Sequence, residues 1–165
     1  MVDQSGEKTG MLVKVNSPDT SILLISGMPL KNRPVKQLQS FPAIILPGEK
    51  KDFKYNDSAY RIYATGQTKV IDSASKNYEV TAYKLFIETT LNHHHYIQLL
   101  VDIPSFEGPL HTAIKFVGDI DNDGIPDFII DTSNYYGSDN STLFLSQPSK
   151  GNVSYTIVGE TTGTA

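Results

Sequence analysis

Apolar residues recur at alternate positions along most of this chain, and no window of eleven or more residues carries the i, i+3, i+4, i+7 spacing of an amphipathic helix. A period of two puts successive side chains on opposite faces of a strand, so the pattern restricts the chain to β architecture. Ile97, Leu99, Val101 and Ile103 fall on one face with Gln98 and Asp102 on the other, Leu100 being the single exception. Val153, Tyr155 and Ile157 alternate with Ser154 and Thr156, and Tyr60, Ile62 and Ala64 alternate with Arg61. Further strands are expected at 11-15, 21-26, 43-46, 79-89, 113-118, 127-131 and 142-146. Turn chemistry separates them, at Ser17-Pro18-Asp19, Pro47-Gly48, Thr65-Gly66, Glu107-Gly108-Pro109 and Pro148 to Gly151.

About ten short strands of this kind imply an all-β domain, an antiparallel two-sheet sandwich or a partly open barrel. The 165 residues suffice for one domain, expected over 11-165, preceded by a polar, flexible segment at 1-10. A single helical turn is possible at Val35 to Gln39, between Pro34 and Pro42. No stretch is apolar over the roughly 20 residues a membrane-spanning helix needs. The first ten residues also lack the apolar core of a signal peptide, so either the protein is not exported or this is a mature form with a new Met1.

With 14 basic residues against 18 acidic ones, and only Arg33 and Arg61 as arginines, a nucleic-acid groove is not expected. The acidity is local. Without Asp119, Asp121, Asp123, Asp127 and Asp131 the formal charge of -4 would become +1. The absence of cysteine excludes disulfides, thiolate metal sites and thiol nucleophiles.

Those aspartates lie in Gly118-Asp119-Ile-Asp121-Asn-Asp123-Gly124-Ile125-Pro-Asp127-Phe-Ile-Ile. Carboxylates at i, i+2 and i+4 would share one face of a strand and repel one another, whereas a loop curled around a hard cation presents them inward. Calcium takes six to eight oxygens at about 2.3-2.6 Å, supplied by alternate side chains and a backbone carbonyl. The expected ligands are Asp119, Asp121, Asp123, the carbonyl of Ile125, and Asp127, with Gly124 permitting the bend at positive φ. An EF-hand would place a glutamate at position 12 and helices on both sides, but position 12 is Ile130 and both flanks are strand-like. A metal-free Asp/Asn/Gly turn and a site for magnesium or manganese are the alternatives. Asp131 is either a support for the site or a strand end.

This segment resembles the calcium loop of FG-GAP or VCBS repeats, the integrin-type propeller motif, over about 20 of the 165 residues. The resemblance implies a calcium ion held in a hairpin between adjacent strands of an extracytoplasmic protein in the periplasm, on the cell surface or secreted. It occurs once here, without the upstream Phe-Gly signature, so no propeller is implied.

Three weaker signals remain. His93 and His95 would share a face in an extended segment, with His111 as the possible third ligand of a transition metal, or the run is an exposed connection. Tyr135 and Tyr136, in a polar loop after the calcium hairpin, suit the stacking of a sugar ring, or cover a sheet edge. Glu79 with Glu88, or Glu107 with Asp102, would form a glycosidase pair only across a cleft. No nucleophile elbow, phosphate loop, dinucleotide fingerprint or H-E-x-x-H motif is present. The sequence therefore favours a non-catalytic binding module with structural calcium, its partner a carbohydrate or another surface protein, over a secreted hydrolase of glycans or esters.

Overall fold

The computed structural model describes residues 34-72, 77-91, 93-135, 137-149 and 152-164. The expected segment 1-10 and the strands at 11-15 and 21-26 lie outside them. Eight strands follow in order: β1 Lys50–Tyr55, β2 Ser58–Asp72, β3 Asn77–Leu91, β4 His94–Ser105, β5 Ala113–Gly118, β6 Asp127–Asp131, β7 Ser138–Ser149 and β8 Asn152–Thr164. They form two four-stranded antiparallel sheets, β1-β2-β3-β4 and β5-β6-β7-β8, each a simple meander that is not closed into a barrel. This is the all-β, two-sheet class that the alternation implies. No helix among the described residues is long and apolar enough to cross a membrane.

One apolar cluster joins the sheets. Tyr60, Ile62, Leu85 and Ile87 from the first pack in the same core as Val117, Phe128, Ile130 and Tyr155 from the second. Strand β6 and the middle of β7 are buried on both faces, which explains the unbroken apolar runs Phe128-Ile129-Ile130 and Leu143-Phe144-Leu145. Phe128, Ile130 and Phe144 belong to the inter-sheet core, while Ile129, Leu143 and Leu145 form a second cluster on the opposite face.

Where simple alternation misplaces residues, a bulge is the usual cause. Phe86 pairs with Leu99 but Leu85 with Val101, so Leu100 is an extra residue in β4 and the strand changes face there. Leu100 and Val101 are consecutively buried, whereas Ile97 and Leu99 are exposed and do not share a face with Val101 and Ile103. The one exception in the pattern marks the bulge. Gln98 consequently turns toward the second sheet, where its amide donates to the Tyr155 carbonyl and accepts from the Tyr155 N–H, both at 2.7 Å. In β8, Val153 and Tyr155 are buried as expected but Ile157 is half exposed.

Two local expectations are corrected. Residues 35-39 are not helical: Gln37 bridges to Gly118 and the Leu38 N–H donates to the Val117 carbonyl at 2.9 Å, so the segment runs along the edge of β5. Residues 43-46 are not a strand. Bounded by Pro42 and Pro47, they make no ladder but single bonds, from the Ile114 N–H to the Ala43 carbonyl, from the Tyr83 hydroxyl to the Ile45 carbonyl, and between Leu46 and Glu49. Strand β1, by contrast, was not foreseen, because only Phe53 and Tyr55 in its lysine-rich sequence face inward.

A second bulge lies between Thr65/Lys84 and Gln67/Thr81. Gly66 has φ +152°, and a Cβ there would stand 3.1 Å from the Thr81 carbonyl oxygen. Opposite it, Ala82 adopts φ +51°, a conformation that costs a residue with a Cβ about 1 kcal/mol or more. The substitution Ala82→Gly should therefore stabilise the protein by roughly 0.5-1 kcal/mol, less than the full strain because glycine also loosens the unfolded chain. Urea denaturation measures this directly, and a lower midpoint than the unsubstituted protein would contradict it.

Candidate metal centre

The connection from β5 to β6 starts at a glycine that the packing requires. A Cβ on Gly118 would lie 2.6 Å from the Lys36 carbonyl oxygen and 2.7 Å from the Phe116 ring. From there the chain curls through Asn122 at φ +73° and Gly124 at φ +90°, the latter as the sequence implied. The curl is fastened by side-chain carboxylates. Asp119 Oδ1 accepts from the N–H groups of Asn122 (2.6 Å) and Asp123 (3.1 Å), and its Oδ2 accepts from Gly124 (3.0 Å). Asp127 closes the loop, its Oδ2 accepting from the Ile120 N–H at 2.6 Å and its Oδ1 from the Ser146 N–H of β7 at 2.8 Å.

This folding brings one carboxylate oxygen from each of Asp119, Asp121 and Asp127 within 4.8 Å of the others. Oxygens on a common calcium at 2.3-2.6 Å can stand as far as about 5.2 Å apart, so a single ion can reach all three. Each Asp127 oxygen accepts one of these N–H bonds, whereas Asp119 Oδ1 accepts two, from Asn122 and Asp123. Asp119 and Asp127 are buried and Asp121 is exposed, which leaves an approach from solvent. Asp123 stands outside this triad: its Oδ1 accepts from the Ile125 N–H at 2.8 Å and its Oδ2 from the Ser146 hydroxyl at 2.8 Å. Ile125 is placed by that same N–H bond, and its side chain packs against the inter-sheet core.

Concentrating carboxylates here is costly. Burial pushes the Asp127 carboxyl up to about 7, with the charges of Asp121 and Asp123 acting in the same direction and the Ser146 and Ile120 N–H groups opposing. Burial likewise raises Asp123, against its bonds to Ile125 and Ser146. Among the described residues no Lys or Arg forms an ion pair with Asp121, Asp123 or Asp127. The arrangement suits an external cation better than any group in the fold.

Three residues from elsewhere hold the loop, and the loop sequence could not have revealed them. Asn56, in the β1-β2 turn at φ +48°, donates its amide to the Gly124 carbonyl at 2.8 Å. The Tyr55 hydroxyl accepts from the Asp119 N–H at 3.1 Å and donates to the Lys36 carbonyl at 3.0 Å. Ser146 serves both Asp123 and Asp127. The only available signal was the turn chemistry of Asn56-Asp57.

The weaker sequence candidates are not assembled into sites. His93 occupies the exposed β3-β4 turn and His95 pairs with Glu88 at 2.9 Å. Among the described residues, Asp119, Asp121 and Asp127 are the one group of three metal-ligating side chains drawn together. The proposed carboxylate pairs are surface ion-pair partners instead: Glu79 with Lys69, Glu88 with Arg61, Asp102 with Lys84. Asp131 lies at the far end of β6, accepting from the Ser133 and Asn140 N–H groups and facing Lys115 at 3.4 Å. Burial opposes its ionisation, yet those bonds and the lysine together hold its carboxyl below the usual range. Tyr135 is exposed at that same end, beyond Asp131, and Tyr136 lies outside the described residues. The four residue steps from Asp127 to Asp131 span about 13 Å, which sets the aspartate loop and Tyr135 at opposite ends of β6. An extended strand separates the two ends.

The chain matches no known protein family, no curated protein and no solved structure.

Proposed function

We propose that the protein is a calcium-binding β-sandwich module that acts outside the cytoplasm, in the periplasm, on the cell surface or in the medium, without catalysis of its own. Its calcium is structural. The observation that carries this reading is the convergence of Asp119, Asp121 and Asp127 within 4.8 Å on one loop already fastened by its own N–H groups. Similarity of the loop to FG-GAP and VCBS motifs supports the same ion. All of the ligating groups come from one connection between two buried strands, so occupancy would fix the β5-β6 end of the second sheet and, through Asn56 and Tyr55, its contact with the first. The partner of such a module is a carbohydrate or a surface protein.

With no bidentate glutamate and only one exposed carboxylate, affinity should fall near 10⁻⁴ to 10⁻³ M, the range of extracellular modules. Such a site stays empty at cytosolic calcium and fills outside the cell. Calorimetric titration with calcium should give one ion per chain in that range. A dissociation constant below about 10⁻⁷ M would contradict the extracytoplasmic assignment, since it would place the protein with the tight intracellular buffers.

A further inference from the structure

In a two-layer sandwich the faces that point away from the partner sheet ordinarily meet water and carry polar residues. The outer face of the second sheet does neither. Ile129, Leu143 and Leu145 occupy it with only 7%, 0% and 4% of their surface exposed. Among the described residues, the apolar side chains that pack against them are Phe116, Ile120 and Val158. All three stand at the rim: Phe116 on the edge strand β5 with its ring beside Gly118, Val158 as the extra residue of a bulge in β8, and Ile120 in the aspartate loop. Side chains on one sheet face rise roughly parallel to one another, so such neighbours shield a leucine from the sides and leave its end open. The complete burial of Leu143 on a central strand therefore needs a further layer above it. The outer face of the first sheet has none, since Ile97 and Leu99 there are 54% and 39% exposed.

We infer that residues 11-33 of the same chain form this layer, with the apolar run Ile22-Leu23-Leu24-Ile25 seated over Leu143 and Leu145. The burial is that of a single chain, so a second copy does not supply it. The other stretches outside the described residues are at most four residues long, too short to cover a face. Ten of the 23 residues from 11 to 33 are Leu, Ile, Val or Met, and their exposure to water would forfeit the largest favourable term in folding. The point of attachment also fits. Gln37 bridges to Gly118, and a Cβ on that glycine would meet the Lys36 carbonyl oxygen at 2.6 Å, so the preceding chain joins the described part at the β5 edge of this same sheet. From there about 14 Å of sheet separates β5 from β8, a small fraction of what 23 residues can span.

Nuclear Overhauser contacts in the methyl-labelled full chain test the inference directly. The methyl groups of Leu143, Leu145 and Ile129 should show contacts with those of residues 22-25, of undiminished intensity per labelled chain when the sample is diluted into unlabelled protein. Contacts confined to Phe116, Ile120 and Val158 would overturn the inference, as would contacts that fade on dilution, which would assign the cover to a second copy. The paired substitution Leu23→Asp with Leu24→Asp should lower the melting temperature by about 3-12 °C, as for one leucine brought out of the core, and open the Leu143 methyl groups to a soluble paramagnetic probe. Ile97→Asp, on the open face, should leave Leu143 shielded. A paired variant that melts with the unsubstituted protein and keeps Leu143 shielded would equally overturn the inference. Should that variant not fold, the Overhauser contacts of the unsubstituted chain decide alone.

Discussion

Saturating calcium is expected to raise the melting temperature by roughly 5-11 °C over chelator. An ion that binds the folded state alone contributes about 2.7 kcal/mol when present at 100 times its dissociation constant. For a chain of this size each kcal/mol moves the midpoint by about 2-4 °C. The increment should depend on pH in a defined direction. In the calcium-free fold the Asp127 carboxyl is held up to about 7 by burial, against an ordinary value of 3.8. Between those values the folded state binds more protons than the unfolded one, so Asp127 contributes stability at low pH that is lost as pH rises through about 7. Calcium needs the ionised form and must displace that proton below pH 7. Its increment should therefore be small at pH 5 and reach its full size by pH 8. Asp121→Ala should abolish most of it, while leaving the calcium-free midpoint unchanged or slightly higher. Asp121 is exposed and among the described residues accepts one bond, from the Asp123 N–H at 3.2 Å, so its loss mainly relieves repulsion. Differential scanning calorimetry in both buffers, across this pH range, checks all three statements.

The second large effect is expected in the core beneath the loop. Phe128 is fully buried on β6, with ring centroids of Tyr155 at 5.5 Å and of Phe53, across the sandwich, at 6.5 Å. It is the point where β1, β6 and β8 meet. Phe128→Ala should cost about 3-5 kcal/mol and lower the midpoint by roughly 6-20 °C, since the rigid strands on either side leave the cavity little room to collapse. Ile157→Ala, at a half-exposed position on β8, should cost about 1 kcal/mol or less. Equal losses for the two would mean that the sheets are not joined by the core described here.

The aspartate spacing was legible because the carboxylates crowd into one short stretch, where their mutual repulsion needs an explanation within the stretch itself. What fastens that loop was not, since Asn56 and Tyr55 reach it from 64 or more positions away. Nor does spacing tell which carboxylates converge: Asp119, Asp121 and Asp127 draw together, while Asp123 accepts from Ile125 and from Ser146 of β7. The fold class followed from alternation, yet the faces of β4 did not, because a bulge inverts the pattern without changing composition. Leu100 was visible as an exception whose meaning depends on pairing with β3. Strand β1 escaped for a related reason. It is an edge strand, and lysines on an exposed edge prevent pairing with other chains while erasing the apolar signal.

The central claim is that the loop from Asp119 to Asp127 is itself the calcium site. A calcium titration followed by backbone amide resonances tests it most directly, because the N–H groups of Ile120, Asn122, Asp123, Gly124 and Ile125 all donate to the carboxylates concerned. The account expects these five resonances, and that of Ser146, to move together with one midpoint between about 10⁻⁴ and 10⁻³ M, and to stay still in Asp121→Ala. Shifts scattered over surface carboxylates such as Asp52 and Asp102, or none at all up to 10 times that concentration, would contradict it.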